Sequence, residues 1–185
     1  GGARTPCSRL PTVRETAADQ AVYPGMSLSE VLALSWADVD FAAGVIHVRH
    51  QLARSRDGIP AHRVAPKTRA SLREMPLLPQ LAEVLQRHRR GTRFTAASDY
   101  VFATSRGTPL QHHNVSKRVL RRAAISAGLD DGDRRLRFHD LRHTFASHLI
   151  IDIRLDVAQV SRILGHARTS MTLDTYTHLF EQARH

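Results

Sequence analysis

Side chains able to move protons or bind anions crowd the stretch Arg137-Phe-His139-Asp-Leu-Arg142-His143-Thr-Phe-Ala-Ser. His139, Arg142 and His143 fall within about one helical turn, and the two histidines, spaced i and i+4, share a helix face. Two histidines so placed could bind zinc. The Glu of an HExxH motif is missing, however, and no third ligand is suitably spaced, so no metal and no other cofactor is expected. The plainer reading is a His-rich helix with a structural Arg. Further on, Leu164-Gly165-His166 and Tyr176 add two polar groups. A tyrosine on an amphipathic helix is ordinarily a core residue, because a pKa of about 10 keeps its hydroxyl protonated at pH 7. To act as a nucleophile it needs phosphate-binding cations nearby, and the histidine-arginine cluster supplies candidates. The single cysteine, Cys7, excludes an internal disulfide and a multi-thiolate metal site.

The charge balance gives these groups a context. The 185 residues carry 27 Lys+Arg against 17 Asp+Glu, a formal charge of +10 with twelve neutral His. The excess sits in residues 49–93, with 11 basic against 3 acidic, and in residues 94–149, with 9 against 5. Such a field attracts polyanions, of which nucleic acid is the commonest, although an Arg-rich surface also serves solubility or reflects codon bias. Of the 27 basic residues 25 are Arg, and only Lys67 and Lys117 are Lys. With 42% apolar and 24% charged residues the chain is of ordinary globular composition, and its length fits one domain with a real core. Apolar runs such as Val31–Leu34 are far short of the ~20 residues that span a bilayer, and no signal-peptide pattern opens the chain. A soluble, cytoplasmic protein with no membrane partner is expected.

The elements that must position the cluster are legible in outline. Residues 1–25, punctuated by Gly1, Gly2, Pro6, Pro11, Pro24 and Gly25, read as an irregular arm or a degenerate first element. From residue 26 to 185 the pattern reads as one domain. Ser27-Leu-Ser-Glu30 has the spacing of a capping box and predicts a helix near 28–35. Short β-branched or apolar runs at Val45–Leu52, Ala61–Ala65 and Leu72–Leu78, with an Arg56-Asp-Gly58 turn, predict about three antiparallel strands. Pro79 opens a helix to Arg90, and Tyr100–Ala103 reads as a brief extended piece. Helices follow at 114–127, 139–151, 157–164 and 169–180, with Gly128 and Gly165 as C-caps. The expected class is α+β: a mainly helical domain with a small three-stranded antiparallel sheet near the N-terminal side.

From about Gly25 to Leu179 the chain resembles the tyrosine recombinases, in particular the catalytic domain of phage-type integrases. Four blocks in order carry the resemblance: Glu30-Val-Leu-Ala-Leu-Ser-Trp36-Ala-Asp, Ala65-Pro-Lys67-Thr-Arg69-Ala-Ser, Arg137-Phe-His139-Asp-Leu-Arg142-His143, and Leu164-Gly-His166 with Tyr176. The resemblance implies a metal-free phosphoryl transfer on double-stranded DNA, with no small-molecule substrate. Tyr176 would attack the scissile phosphate to give a 3′-phosphotyrosine and a free 5′-hydroxyl, and a 5′-hydroxyl from a partner duplex would reverse the step. Arg142 suits the phosphate with a planar, permanently charged fork, His166 adds a hydrogen bond, and His139 suits acceptance of the tyrosine proton. Lys67 fits the general acid for the departing 5′-oxygen, because Arg, with a pKa above about 12, releases a proton far less readily than Lys at about 10.4. Arg69, Arg118, Arg121, Arg122 and His143 are candidate DNA contacts. Related proteins work as tetramers on DNA; a monomer is expected off DNA, of bacterial or phage origin and nucleoid-associated.

One departure stands out. The family places a second catalytic arginine in a Gly-Leu-Arg-x-x-Glu pattern, and here Gly25-Met-Ser27-Leu-Ser-Glu30 puts Ser27 at that position. Loss of one transition-state donor typically costs about 10²–10³ in rate, so activity is expected to be reduced or lost unless another cation substitutes. Arg9 or Arg14 of the arm could reach the site, although no spacing demands it. Three readings stay open: a degenerate remnant, a divergent active enzyme, or a chain whose start lies inside the natural protein. The family's N-terminal core-binding domain is not recognised in this chain.

Overall fold

A computed structural model describes residues 25–56, 58–129 and 135–184. The expected arm at 1–25 lies outside the described residues apart from Gly25. Helix α1 (Leu28–Ala33) starts as the capping box requires: the Ser27 hydroxyl accepts from the Glu30 N–H at 3.3 Å and the Ser27 N–H donates to the Glu30 carboxylate at 2.6 Å. A 3₁₀ turn, Trp36–Asp38, leads into β1 (Val39–Asp40) and then β2 (Val45–Val48).

The sheet is three-stranded and antiparallel, in the order β1-β2-β5, with β5 at Arg73–Pro76. Val39 pairs with Ile46, and Ile46 in turn with Met75. The class matches the sequence reading, while the strand membership differs. The run from Val45 to Leu52 breaks at Arg49-His50, so its second half, β3 (Gln51–Leu52), leaves the sheet and pairs with β4 (Arg63–Val64) in a separate ribbon. Arg63 fastens that ribbon down: its Nε donates to the Ala33 carbonyl at 2.9 Å and its guanidinium covers the Tyr100 ring at 3.9 Å. The extended piece expected at Tyr100–Ala103 contributes only single bridges, Ser35 to Tyr100 and Ala103 to Pro109.

Helix α2 (Pro79–Gly91) buries Leu81, Leu85 and His88 at helical spacing. His88 is tolerated inside because its Nε2–H donates to the Val101 carbonyl at 2.7 Å, and burial lowers its pKa below the usual histidine value. The helix expected at 114–127 is a composite of α3 (His112–Asn114), a π-helical stretch at Val115–Leu120 and α4 (Arg121–Ser126). Three helices complete the chain: α5 (Phe138–Ile151), α6 (Val157–Leu164) and α7 (Thr169–Arg184). Asp156 and Gln159 cap α6 reciprocally, and Gly165 ends it in the left-handed conformation at φ +70°.

Two apolar clusters result. One packs α1, the sheet, α2 and the 101–120 region around Met26, Leu32, Ile46, Met75, Leu85 and Phe102. The other joins α5, α6 and α7 through Ala146, Leu149, Ile150, Val160 and Leu164, and includes Tyr176. Ile163 packs against both, so α6 is the seam between them. Among the described residues no helix is long and apolar enough to cross a membrane.

Candidate active site

The seam carries the polar chemistry. Arg142 projects from α5, donates through one terminal nitrogen to the Gly25 carbonyl at 2.7 Å, and through the other to the Leu164 carbonyl. These contacts aim a guanidinium whose burial, only partly offset by the nearby Glu30 carboxylate, lowers its pKa from the ordinary arginine value. Gly25 has to be glycine. Its φ is +63°, and an added Cβ would fall 2.6 Å from Phe145 Cδ1.

Tyr176 comes from α7 with only 4% of its surface exposed. Its hydroxyl lies 2.7 Å from His143 Nδ1, with the rings edge-on at 5.5 Å between centroids. Burial raises the tyrosine pKa, opposed by the positive charge of Arg142. Burial and the neighbouring His139 lower the pKa of His143 below its usual value, which favours the neutral imidazole at pH 7, and the tautomer with Nδ1 unprotonated accepts a hydrogen bond from the phenol. His139, to which the resemblance implies the role of proton acceptor, sits one ring further out. It is exposed and meets His143 edge-on at 4.4 Å. Residues 139 and 143 share a face of α5 one helical turn apart, and residue 143 is the one level with Tyr176.

His166 follows Gly165 at the end of α6. Its Nδ1 is 2.8 Å from the Oγ1 of Thr172, which is fully buried. Burial first, then the charges of Arg142 and Arg73, push its pKa down to about 4. It is therefore neutral at pH 7, and its Nε2 is the ring nitrogen left to meet a ligand.

A buried ion pair closes the site on the sheet side. Arg73 of β5 donates to Glu30 of α1 through both terminal nitrogens, at 2.8 and 3.2 Å, with 7% and 10% of the two side chains exposed. Burial pushes the Glu30 carboxyl up, but the hydrogen bond and charge of Arg73, the Ser27 N–H and the charge of Arg142 outweigh it, so its pKa ends below the usual carboxylate value. Arg73 Nε donates to the Ile163 carbonyl at 3.0 Å.

A family model described as the phage integrase family matches residues 5–183. The chain belongs to this family. A XerC-like tyrosine recombinase of Caldanaerobacter subterraneus subsp. tengcongensis is 28% identical over 181 residues, covering 86% of this chain and 44% of the relative. Tyrosine recombinase XerC of Chlorobaculum parvum is 30% identical over 185 residues, covering 96% of this chain and 49% of the relative. The solved Tn1549 transposon integrase in complex with circular intermediate DNA shares 25% identity and a TM-score of 0.73, covering 91% of this chain and 57% of that one. The fold is that of a tyrosine recombinase catalytic domain, and the chain spans about half the length of the relatives it matches.

Within this phage-integrase fold the remaining sequence candidates fall in three places. Ser27 is the N-cap of α1 and touches the same Glu30 carboxylate as Arg73. Lys67 and Arg69 are exposed on the connection between β4 and β5, and no hydrogen bond or ion pair joins Lys67 to Arg142, His166 or Tyr176. Arg118, Arg121 and Arg122 are exposed on the π-helical stretch and α4. Among the described residues no group of three His, Cys, Asp or Glu converges as a metal site. Arg73 is the residue that sequence reasoning missed. The period-2 pattern of β5 puts it on the face of buried Met75, which was the available signal.

Proposed function

We propose that this phage-integrase-family chain is the catalytic part of a site-specific DNA recombinase that cuts and rejoins DNA through Tyr176. The observation that carries the reading is the 2.7 Å hydrogen bond between the Tyr176 hydroxyl and a neutral His143, beside the buried guanidinium of Arg142. In the cleavage step the Tyr176 oxygen attacks phosphorus and its proton passes to His143 Nδ1. The bond from phosphorus to the 5′-oxygen breaks, leaving a 3′-phosphotyrosine, and the departing 5′-oxygen takes a proton from Lys67. Rejoining runs the same steps backwards from the 5′-hydroxyl of a partner duplex, so the phosphodiester energy is kept in the phosphotyrosine bond.

The remaining groups act on charge. A phosphodiester gains negative charge at its equatorial oxygens in the pentavalent transition state, and fixed donors aimed there lower the barrier. Arg142 is held in place by two backbone carbonyls, so little reorganisation accompanies the reaction. If the buried Thr172 hydroxyl donates to His166 Nδ1, the ring proton is left on Nε2 as a donor to the phosphate. The exposed arginines of the π-helical stretch and α4 supply the sequence-independent hold on the DNA backbone. Off DNA the protein is a monomer in this reading.

A duplex nicked near the crossover traps the covalent intermediate, because the short 5′-hydroxyl strand diffuses away. A covalent adduct with the protein that disappears in Tyr176→Phe is the expected result. Ser27 at the family's arginine position favours a second reading, a DNA-binding module that has kept the fold without the chemistry. Binding with no adduct at any protein excess would select that reading.

A further inference from the structure

We propose that Arg73 supplies the second phosphate-binding guanidinium of the site, in place of the arginine that the family carries where this chain has Ser27. The inference rests on the recombinase reading. The Ser27 N–H and Arg73 Nη2 reach the same oxygen of Glu30, at 2.6 and 3.2 Å. One carboxylate therefore separates the lost position from the new cation.

The placement relative to Arg142 points the same way. Arg73 Nε donates to the Ile163 carbonyl and an Arg142 terminal nitrogen to the Leu164 carbonyl, so the two forks grip consecutive peptide groups at the end of α6. The next residues are Gly165 and His166. A Cβ on Gly165 would lie 2.7 Å from Arg73 Nη1, and at φ +70° the glycine both turns the chain and leaves room for the guanidinium. His166 and Arg142 both feel the Arg73 charge.

The donor count leaves a hydrogen for a ligand. A guanidinium has five N–H groups. In Arg73 four go to the Ile163 carbonyl, the Ser71 carbonyl and the two Glu30 oxygens, and the fifth, on Nη2, has no acceptor among the described residues. Arg142, Arg73 and Glu30 together carry one net positive charge, matched to one phosphodiester. An arginine supplied from β5 rather than from the start of α1 lets Ser27 serve as a helix cap while the site keeps two forks.

The test compares adduct formation by the full-length protein on nicked duplexes whose scissile group is either the ordinary phosphate or an uncharged methylphosphonate. Arg73→Gln is expected to slow cleavage of the phosphate by about 10²–10³, the usual effect of one lost donor, and that of the methylphosphonate less than tenfold. Ser27→Arg added to Arg73→Gln is expected to restore at least tenfold on the phosphate, whereas Ser27→Arg alone changes little. Should Arg73→Gln fail to fold, Arg73→Lys keeps the charge beside Glu30 and loses the fork, and the same selective loss is expected. Equal slowing on both substrates without rescue, or wild-type rates in both variants, would overturn the assignment and leave Arg73 as an anchor for Glu30. An unmodified protein that forms no adduct on either substrate would overturn the recombinase reading and this one with it.

Discussion

The sheet-side cluster and the helical cluster bury similar aliphatic side chains but differ at their edges. Around Phe102, Leu32, Ile46 and Leu85 the packing is apolar, and the buried rings that carry nitrogen, Trp36 and His88, are each tied to a backbone carbonyl. The α5–α7 cluster ends instead on Tyr176, with the ring in the core and the hydroxyl on His143. Between the two the fastening is polar. Arg142 bonds Gly25 and Leu164, and Arg73 bonds Glu30 and Ile163, so two arginines stitch α1, β5, α5 and α6 together. The difference teaches that the sheet side is a scaffold, that the helical side presents the Tyr176 hydroxyl, and that the candidate site lies where neither core is continuous. Part of the +10 charge is therefore structural and faces carbonyls rather than solvent.

Breaking the seam is the strongest challenge to that division. Glu30→Ala leaves Arg73 charged and unpaired in the interior, and a loss of about 3–5 kcal/mol is expected in urea unfolding. A value near zero would mean that the ion pair holds nothing. Gly25→Ala combines a disfavoured φ with a collision against Phe145, and a loss of about 2 kcal/mol is expected, together with slower adduct formation because the carbonyl that anchors Arg142 is displaced. If adduct formation survives while stability falls, the anchor and the chemistry are separable. Ser27→Ala tests the scaffold alone. It removes the N-cap of α1 for about 1 kcal/mol and should leave the cleavage rate close to that of the unmodified protein.

Proton linkage probes the seam in another way. His166 has a folded pKa of about 4, below its unfolded value of 6.5, so between these values the unfolded chain binds more protons and the folded state loses stability as pH falls. Glu30, also lowered, contributes stability above its unfolded pKa of 4.5 and loses it as pH falls through its folded value. Melting temperature should therefore drop below pH 6.5, with His166→Gln making that upper limb shallower and leaving the carboxylate limb in place, while the lowered His88, His112 and His143 supply the remainder of the upper limb. An unchanged profile in His166→Gln would remove His166 from the seam. The smallest effect belongs to the surface. Replacing Arg118, Arg121 or Arg122 by Ala should leave the melting temperature within experimental scatter and reduce the salt slope of DNA binding by about 0.9 for each phosphate no longer neutralised.

Local signals in the sequence suffice for the elements that carry their own start and stop marks. The Ser27-Glu30 capping box, Pro79 at the first turn of α2 and Gly165 after α6 each fix a boundary through a few neighbouring residues. The division of Val45–Leu52 into two strands is not legible, because partner choice depends on β5 and β4 far along the chain. The π-helical widening at Val115–Leu120 leaves no mark in an amphipathic pattern that suits an ordinary helix. In the candidate site Arg142, His166 and Tyr176 are legible as residue types in family blocks, and the structure brings them to one seam. His143 reads from the sequence only as a candidate for touching DNA, since spacing alone does not tell which of two histidines on one face is level with a tyrosine on another helix. Arg73 escapes notice because its partner lies 43 residues away.

The bond from Arg142 to the Gly25 carbonyl joins residues 117 positions apart. Loop closure over that distance costs entropy that only late contacts return. On the ribosome, a chain that has not yet emitted α5 has no Arg142 fork to place over Gly25, and one lacking α7 has no Tyr176. In the proposed recombinase reading, phosphate grip and nucleophile thus come together only once α5, α6 and α7 have all been made, and a translation product that stops short of α7 is left unarmed.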